Sequence, residues 1–164
     1  MNLEPAMLQN ILAINRRRFG LDPENLTADQ QFSNATGAGQ RLCVYGKMRP
    51  GGPSAHLLEG IGGEWAEARF PGFLQSDGVC TLDQCPGLAW SPSAPLNNGF
   101  LFRSQNLESM WSLLDGKEGA DYARILTPVQ SEGQVSVANI YVSRDATLAQ
   151  LLMLDGMNVH DDVD

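Results

Sequence analysis

The residue best suited to acid–base chemistry is Glu118, in the stretch LDGKEGADYAR at residues 114–124. Gly116 and Gly119 flank it, and two glycines this close favour a tight turn that presents the carboxylate on a bend and not on a helix face. Loops often carry functional groups. A solvated surface glutamate beside Lys117 would have the same local sequence, so the stretch alone leaves both interpretations open.

A second candidate segment follows the first convincing strand, RLCVY at residues 41–45. The strand ends at Gly46 and continues into Lys47, Met48 and a run rich in glycine and proline, which cannot extend regular structure.

Other chemistries lack the residues that they need. Gly37 and Gly39 precede a strand, whereas a dinucleotide-binding fingerprint follows one. The Gly-Lys pair after the first strand lacks the leading glycine and the hydroxyl of a phosphate loop. His56 and His160 are the two histidines and have no partners at metal-ligand spacing, so neither a zinc site nor a Ser-His-acid triad is indicated.

The formal net charge of −8 argues against nucleic-acid binding, which depends on neutralising phosphates. The basic cluster at residues 16–18 is expected to complement the dipole of the helix that it ends, with a phosphate or partner contact as the alternative. No apolar run is long enough to span a membrane and no secretory signal is evident, so a cytoplasmic location is expected. Cys43, Cys80 and Cys85 lack metal-site spacing, and Cys43 is expected in the core.

The elements that must position these residues indicate an α+β fold. An amphipathic helix is predicted over residues 4–19, followed by a polar connector over 21–40. Several short strands alternate with helices predicted at 54–60, at 106–114 with Asn106 as its N-cap, and at 146–154, ending at Gly156. We expect the sheet to curl into a small mixed barrel with flanking helices. The division predicted is a helical extension over 1–40 and a barrel domain over 41–164.

Taken in order, five segments resemble the gamma-glutamyl cyclotransferase-like family: LCVYGKMRPGG, HLL, GGEWAEARFPGFL, NNGFLFR and LLDGKEGADYARILTPV, followed by an alternating strand that carries Tyr141. The resemblance covers about residues 41–143. It implies a small mixed barrel with a cavity, in which enzymes of the family convert gamma-glutamyl compounds into 5-oxoproline and a released amine, without a metal or cofactor.

Carried over by position, the resemblance implies that Glu118 is the catalytic acid/base. It implies substrate contacts by the loop of Tyr45, Gly46, Lys47 and Met48. Tyr122 and Tyr141 are further candidates for the substrate site. Gly119 and Arg124 are expected to support the site structurally. Arg124 is expected to pair with Asp115 or Asp121 and hold the turn.

The resemblance also raises two specific expectations. Acid–base work at neutral pH needs a carboxyl pKa near ~6 to 7, which burial produces, so Glu118 is expected to point inward. The position occupied by Lys47 is often Ser or Thr in the family, so the substrate preference is left open.

Two alternatives from other functional classes remain at this stage. One is a non-catalytic protein that holds a small acidic molecule in the same cavity. The other is an interaction module in which the N-terminal helix recruits a partner, and this requires an exposed apolar face on that helix. The helix is expected to dock on its own domain or on a second copy of the chain, which would form a homodimer.

Overall fold

A computed structural model of the chain describes residues 1–74 and 87–161. The helices are α1 (Pro5–Arg18), α2 (Leu26–Thr36), α3 (His56–Glu59), α4 (Trp111–Glu118) and α5 (Arg144–Asp161). The strands are β1 (Arg41–Val44), β2 (Glu64–Pro71), β3 (Phe73–Leu74), β4 (Leu88–Ala89), β5 (Leu96–Arg103), β6 (Tyr122–Ser131) and β7 (Gln134–Ser143). Short 3-10 turns occupy Ala38–Gln40 and Leu107–Ser109.

Five strands close into a barrel in the order β1-β5-β2-β6-β7. Neighbouring strands are antiparallel except β1 and β7, whose parallel pairing closes the barrel, while β3 and β4 form a separate two-stranded sheet. The predicted α+β fold with a small mixed barrel and flanking helices is therefore confirmed. No helix in the described part of the chain is long and apolar enough to cross a membrane.

The hairpin of β6 and β7 supplies the longest paired segment of the barrel. Its register runs from Tyr122 opposite Ser143 to Ser131 opposite Gln134. Glu132 and Gly133 form the turn with φ angles of 53° and 76°. Two consecutive positive φ angles are typical of the type I′ turn, whose twist matches that of the flanking strands.

Helix α1 packs on the barrel of its own chain. Ile11 and Ile14 are fully or almost fully buried in the main apolar core. Asn15 exchanges two hydrogen bonds with the backbone of Leu126 on β6, donating at 2.9 Å and accepting at 2.8 Å. The interaction-module alternative required this apolar face to be exposed, and the packing contradicts it.

The connector predicted over residues 21–40 is wrong, because α2 and a 3-10 turn occupy most of it. Asn25 caps α2 by accepting a hydrogen bond from the Ala28 N–H at 3.1 Å, and Gly37 ends the helix with a φ of 76°. The polar composition of the segment concealed this helix, since it buries no residue fully. Its cap and its terminating glycine were the available signals.

Three other helix predictions had incorrect boundaries. The helix expected over 106–114 is a 3-10 turn followed by α4, and Asn106 caps neither, because its side chain donates to the Ile61 carbonyl. The helix expected from Ser54 begins at His56. The last helix begins at Arg144 and passes through Gly156.

Cys43 lies in the part of the chain that the structure describes. Cys43 is 2% exposed in the core, as expected, and burial raises the pKa of its thiol. Cys80 and Cys85 lie outside the described residues, as does the side chain of His160.

Candidate active site around Glu118

The loop after β1 turns sharply at its first residues. The Gly46 carbonyl accepts a hydrogen bond from the Arg49 N–H at 3.0 Å. The N–H groups of Gly46, Lys47 and Met48 donate to no other residue that the structure describes. Met48 is 5% exposed and packs in an apolar cluster with Val44, so its buried side chain holds the loop against the barrel. The loop therefore carries three consecutive N–H donors on a fixed base.

Glu118 is the last residue of α4, and the predicted turn at this position is wrong. The helix continues through Gly116, and Gly119 ends it with a φ of 88°. The helix forms because Leu114 buries completely beneath it. Gly119 then directs the chain into β6, consistent with the structural part expected of it.

The Glu118 carboxyl is half-buried, and its environment raises its pKa. Burial is the largest cause, and the negative charge of Asp115 adds to it. Lys47 lies close enough for its positive charge to oppose the shift, although the two do not form one of the direct ion pairs found among the described residues. The structure thus brings the loop after β1 and the end of α4 together.

Tyr45 and Tyr141 connect these two segments to the barrel. The Tyr45 hydroxyl donates a 2.7 Å hydrogen bond to the carbonyl of Tyr141. Burial raises the pKa of Tyr45, and the charges of Tyr122 and Glu118 raise it further, so these three side chains share one region. The substrate-site candidates expected from the sequence are therefore neighbours.

Tyr141 is directed toward α4 and is 6% exposed. Its hydroxyl donates to the Asp115 carboxylate at 2.7 Å, and burial and this hydrogen bond raise the pKa of the phenol. Arg124 pairs with the same carboxylate at 2.9 Å, which is one of the two partners expected for it, and stacks its guanidinium on the Trp111 ring at 4.4 Å. Asp115 lies three residues before Glu118, hence on the same side of α4.

Three participants were not identified from the sequence: Asp115 as a neighbour of Glu118, Asn139 and Arg18. Asn139 is 1% exposed, and its side-chain oxygen accepts hydrogen bonds from both Arg18, at 3.0 Å, and Arg124, at 2.9 Å. A buried amide inside the apolar strand VANIYV was the available signal, because buried polar groups require partners.

The arrangement is suited to proton transfer beside a bound polar group. A carboxyl with a raised pKa, a nearby ammonium and a row of backbone donors lie within one region. Two open grooves that the structure describes elsewhere on the barrel are not lined by Glu118 or by the loop after β1.

Comparisons with known proteins yielded structural similarities only. Neither protein-family models nor curated proteins gave a match. Among solved structures, the chain is similar to YkqA from Bacillus subtilis, with 21% identity, a TM-score of 0.49 and coverage of 63% of this chain and 35% of that one. It is also similar to an aig2-like protein from Mus musculus, with 18% identity, a TM-score of 0.44 and coverage of 63% and 76%. A protein from Arabidopsis thaliana covers 75% of each chain at 16% identity and a TM-score of 0.46. The present chain thus spans about a third of YkqA.

Proposed function

We propose that this chain is an enzyme of the gamma-glutamyl cyclotransferase type, which releases 5-oxoproline from a gamma-glutamyl amino acid or a gamma-glutamyl amine. The observation that carries the proposal is the half-buried Glu118 carboxyl with a raised pKa, beside the loop after β1. An acid/base for this reaction must accept a proton and return it, and a carboxyl with a pKa shifted toward neutrality does both.

The substrate supplies its own nucleophile in this reaction. Its α-amino nitrogen attacks its γ-carbonyl carbon, a new C–N bond closes the five-membered ring, and the bond to the departing nitrogen breaks. Intramolecular attack avoids much of the entropy cost of bringing two reactants together. No oxidant, reductant or activated group is consumed, so the protein has to supply proton transfer and charge stabilisation.

Glu118 performs the proton transfers in the proposed mechanism. As a carboxylate it removes a proton from the substrate ammonium, which makes the amine nucleophilic. As a carboxylic acid it then donates a proton to the departing nitrogen. The attacking nitrogen loses its second proton as the lactam forms, and the released amine takes up a proton in turn, so the protons balance. The burial that raises its pKa makes the second step easier than it would be for an exposed glutamate with a pKa near ~4.3.

Backbone donors of the loop after β1 bind the gamma-glutamyl group. The N–H groups of Gly46, Lys47 and Met48 have no acceptor among the described residues. They can therefore receive the substrate carboxylate or the oxyanion that develops on the γ-carbonyl oxygen. One well-placed donor to such an oxyanion contributes ~10²-fold or more to the rate. Lys47 adds a positive charge on the same loop, which favours a substrate with a free carboxylate.

The test is 5-oxoproline release from a panel of gamma-glutamyl dipeptides and gamma-glutamyl amines, with the wild type compared to Glu118→Gln. We expect release by the wild type and a loss of at least ~10²-fold in the variant, because the amide cannot exchange a proton. Glu59→Gln is the matched control, since Glu59 is exposed on α3 and the chemical change is the same.

Each other outcome would count against the proposal. No release by the wild type on any substrate would favour the non-catalytic binding protein. Equal release by Glu118→Gln, shown to be folded by circular dichroism, would move the chemistry to another residue. Equal loss in both variants would indicate an effect on folding and not on proton transfer.

A further inference from the structure

A groove of about 470 Å³ lies at the opposite end of β1 from the loop that carries Lys47. Arg41, the first residue of β1, and Arg103, the last residue of β5, line it together with Gly62 and Gly63. None of the residues assigned to the proposed active site lines this groove. Any ligand here would therefore occupy a separate site.

The two arginines are direct cross-strand partners in the β1–β5 ladder. Like charges directly opposite each other on a sheet are destabilising. The pKa of Arg41 is lowered, first by burial and then by the charge of Arg103. The pair places two like charges in one groove of an acidic protein, and Glu64 on β2 lies opposite Arg103 on its other side.

The two arginines differ in how their charges are compensated. Arg41 donates to the carbonyls of Thr36, at 2.6 Å, and Val137, at 3.3 Å, which are neutral acceptors. Arg103 contacts the Glu132 carboxylate at 3.4 Å, and the side chains of Arg103 and Glu132 are 40% and 63% exposed. Its Nε is buried and has no hydrogen-bond partner in the part of the chain that the structure describes. A buried donor without an acceptor is costly, so this placement of Arg103 lowers the stability of the protein.

We propose that this groove binds a small ligand through an oxyanion group of the phosphate class. Two guanidinium groups provide forked donors that match phosphate oxygens in pairs, and a dianion would compensate both charges. Gly62 has open space where a side chain would lie, so a tetrahedral group can approach the main chain there. Glu64, the cross-strand partner of Arg103 on β2, and the net charge of −8 argue against a polyanion such as nucleic acid.

Inorganic phosphate is the probe for the test. ¹H–¹⁵N spectra of the full chain are recorded during a phosphate titration in a low-chloride buffer at constant ionic strength. We expect saturable shifts at Arg41, Arg103 and the Gly62–Gly63 segment. Arg103→Gln should weaken binding by at least about tenfold, as expected for loss of charge-assisted hydrogen bonds. Arg69→Gln is the matched control, since Arg69 is exposed on β2 outside the groove, and it should bind as the wild type does.

Further variants and anions separate the possible sources of binding. Arg103→Lys keeps the charge but loses the Nε donor, so we expect affinity between those of the wild type and Arg103→Gln. Tighter binding of acetate than of phosphate would overturn the phosphate class. Absence of saturable shifts in the wild type, or equal weakening in Arg69→Gln, would overturn the site itself. These results are independent of 5-oxoproline release and leave the proposed function to its own test.

Discussion

Helix α1 ends in three consecutive arginines whose surroundings differ sharply. Arg16 and Arg17 are paired with carboxylates near solvent. The first contacts Asp22, at 2.8 Å, and Asp155 of α5. The second contacts Asp29 of α2 at 2.5 Å. Each of these two guanidinium groups is paired with at least one carboxylate, and the pairs hold α2 and α5 to the end of α1.

Arg18 is directed into the protein and binds neutral acceptors. It donates to the side-chain oxygen of Asn139, at 3.0 Å, and to the carbonyl of Arg124, at 3.3 Å. Burial, together with the charge of Arg124, lowers the pKa of Arg18 to about 10. Arg17 and Arg18 are adjacent in sequence and separated by about 100° around the helix. Arg17 is nevertheless paired with a carboxylate, whereas Arg18 donates to neutral acceptors.

The difference shows where the fold places charge that is not fully compensated. The ion pairs of Arg16 and Arg17 hold neighbouring segments to α1, and among the described residues they do not continue toward the proposed active site. The interior contacts continue from Arg18 through Asn139 and Arg124 to Asp115, whose charge acts on Glu118. The N-terminal helix is therefore structurally connected to the proposed catalytic carboxyl, although the family resemblance begins only at about residue 41.

Removal of the shared acceptor should have the largest effect on stability. Asn139→Leu leaves the guanidinium groups of Arg18 and Arg124 without their common partner in a buried position, and leaves the Ala38 carbonyl without its donor. We expect the free energy of unfolding to fall by about 3–5 kcal/mol, because hydrogen bonds to the two charged guanidinium groups contribute about 1.5–3 kcal/mol each. Urea unfolding at pH 7 measures this loss. Asn98→Leu, at an exposed position of β5, should change stability by less than about 1 kcal/mol. Similar losses in the two variants would contradict the distinction between interior and surface.

The next effect concerns the pH dependence of the proposed reaction. The negative charge of Asp115 raises the pKa of Glu118, so Asp115→Asn should lower it. The acidic limb of the profile of kcat/KM for 5-oxoproline release should therefore move to lower pH. The rate at neutral pH should change by less than about tenfold, because the asparagine can still accept the Tyr141 hydrogen bond.

Lys47→Ser provides the opposite electrostatic change for the same profile. Lys47 lowers the pKa of Glu118, so its removal should move the acidic limb to higher pH. If the acidic limb moved in the same direction in Asp115→Asn and Lys47→Ser, or moved in neither variant, the titrating group would not be Glu118. Serine is also frequent at this position in the family that the sequence resembles. The KM of Lys47→Ser for each substrate therefore shows whether a hydroxyl at this position contributes to binding.

The sequence predicted those features that depend on local pattern. The strands of the β6–β7 hairpin follow from apolar alternation, and a barrel follows from the number and spacing of strands. The same patterns predicted a turn at Glu118, because Gly116 and Gly119 are turn formers; the helix forms instead because tertiary burial of Leu114 outweighs the propensity of Gly116. Local propensity could not anticipate that burial.

The partners of the three arginines could not be predicted from the sequence. The helix-dipole interpretation of residues 16–18 needs only the helix, whereas the observed partners lie from 6 residues away, at Asp22, to 139 residues away, at Asp155. Which arginine points inward depends on the angle at which α1 packs on β6. That angle is set by Ile11, Ile14 and Asn15 together and has no signature at the arginines themselves.

The smallest effect is expected for the surface pairs. Arg17→Gln removes the contact with Asp29, in which both side chains are 18% exposed, and should lower the free energy of unfolding by about 1 kcal/mol. Because such pairs are partly screened, the difference from the wild type should shrink when urea unfolding is repeated at 1 M salt, where the Debye length falls to about 3 Å. The loss in Asn139→Leu should persist at high salt, since it arises from unsatisfied buried donors. A salt-independent loss in Arg17→Gln as large as that of Asn139→Leu would place Arg17 in the interior network and remove the contrast between adjacent arginines.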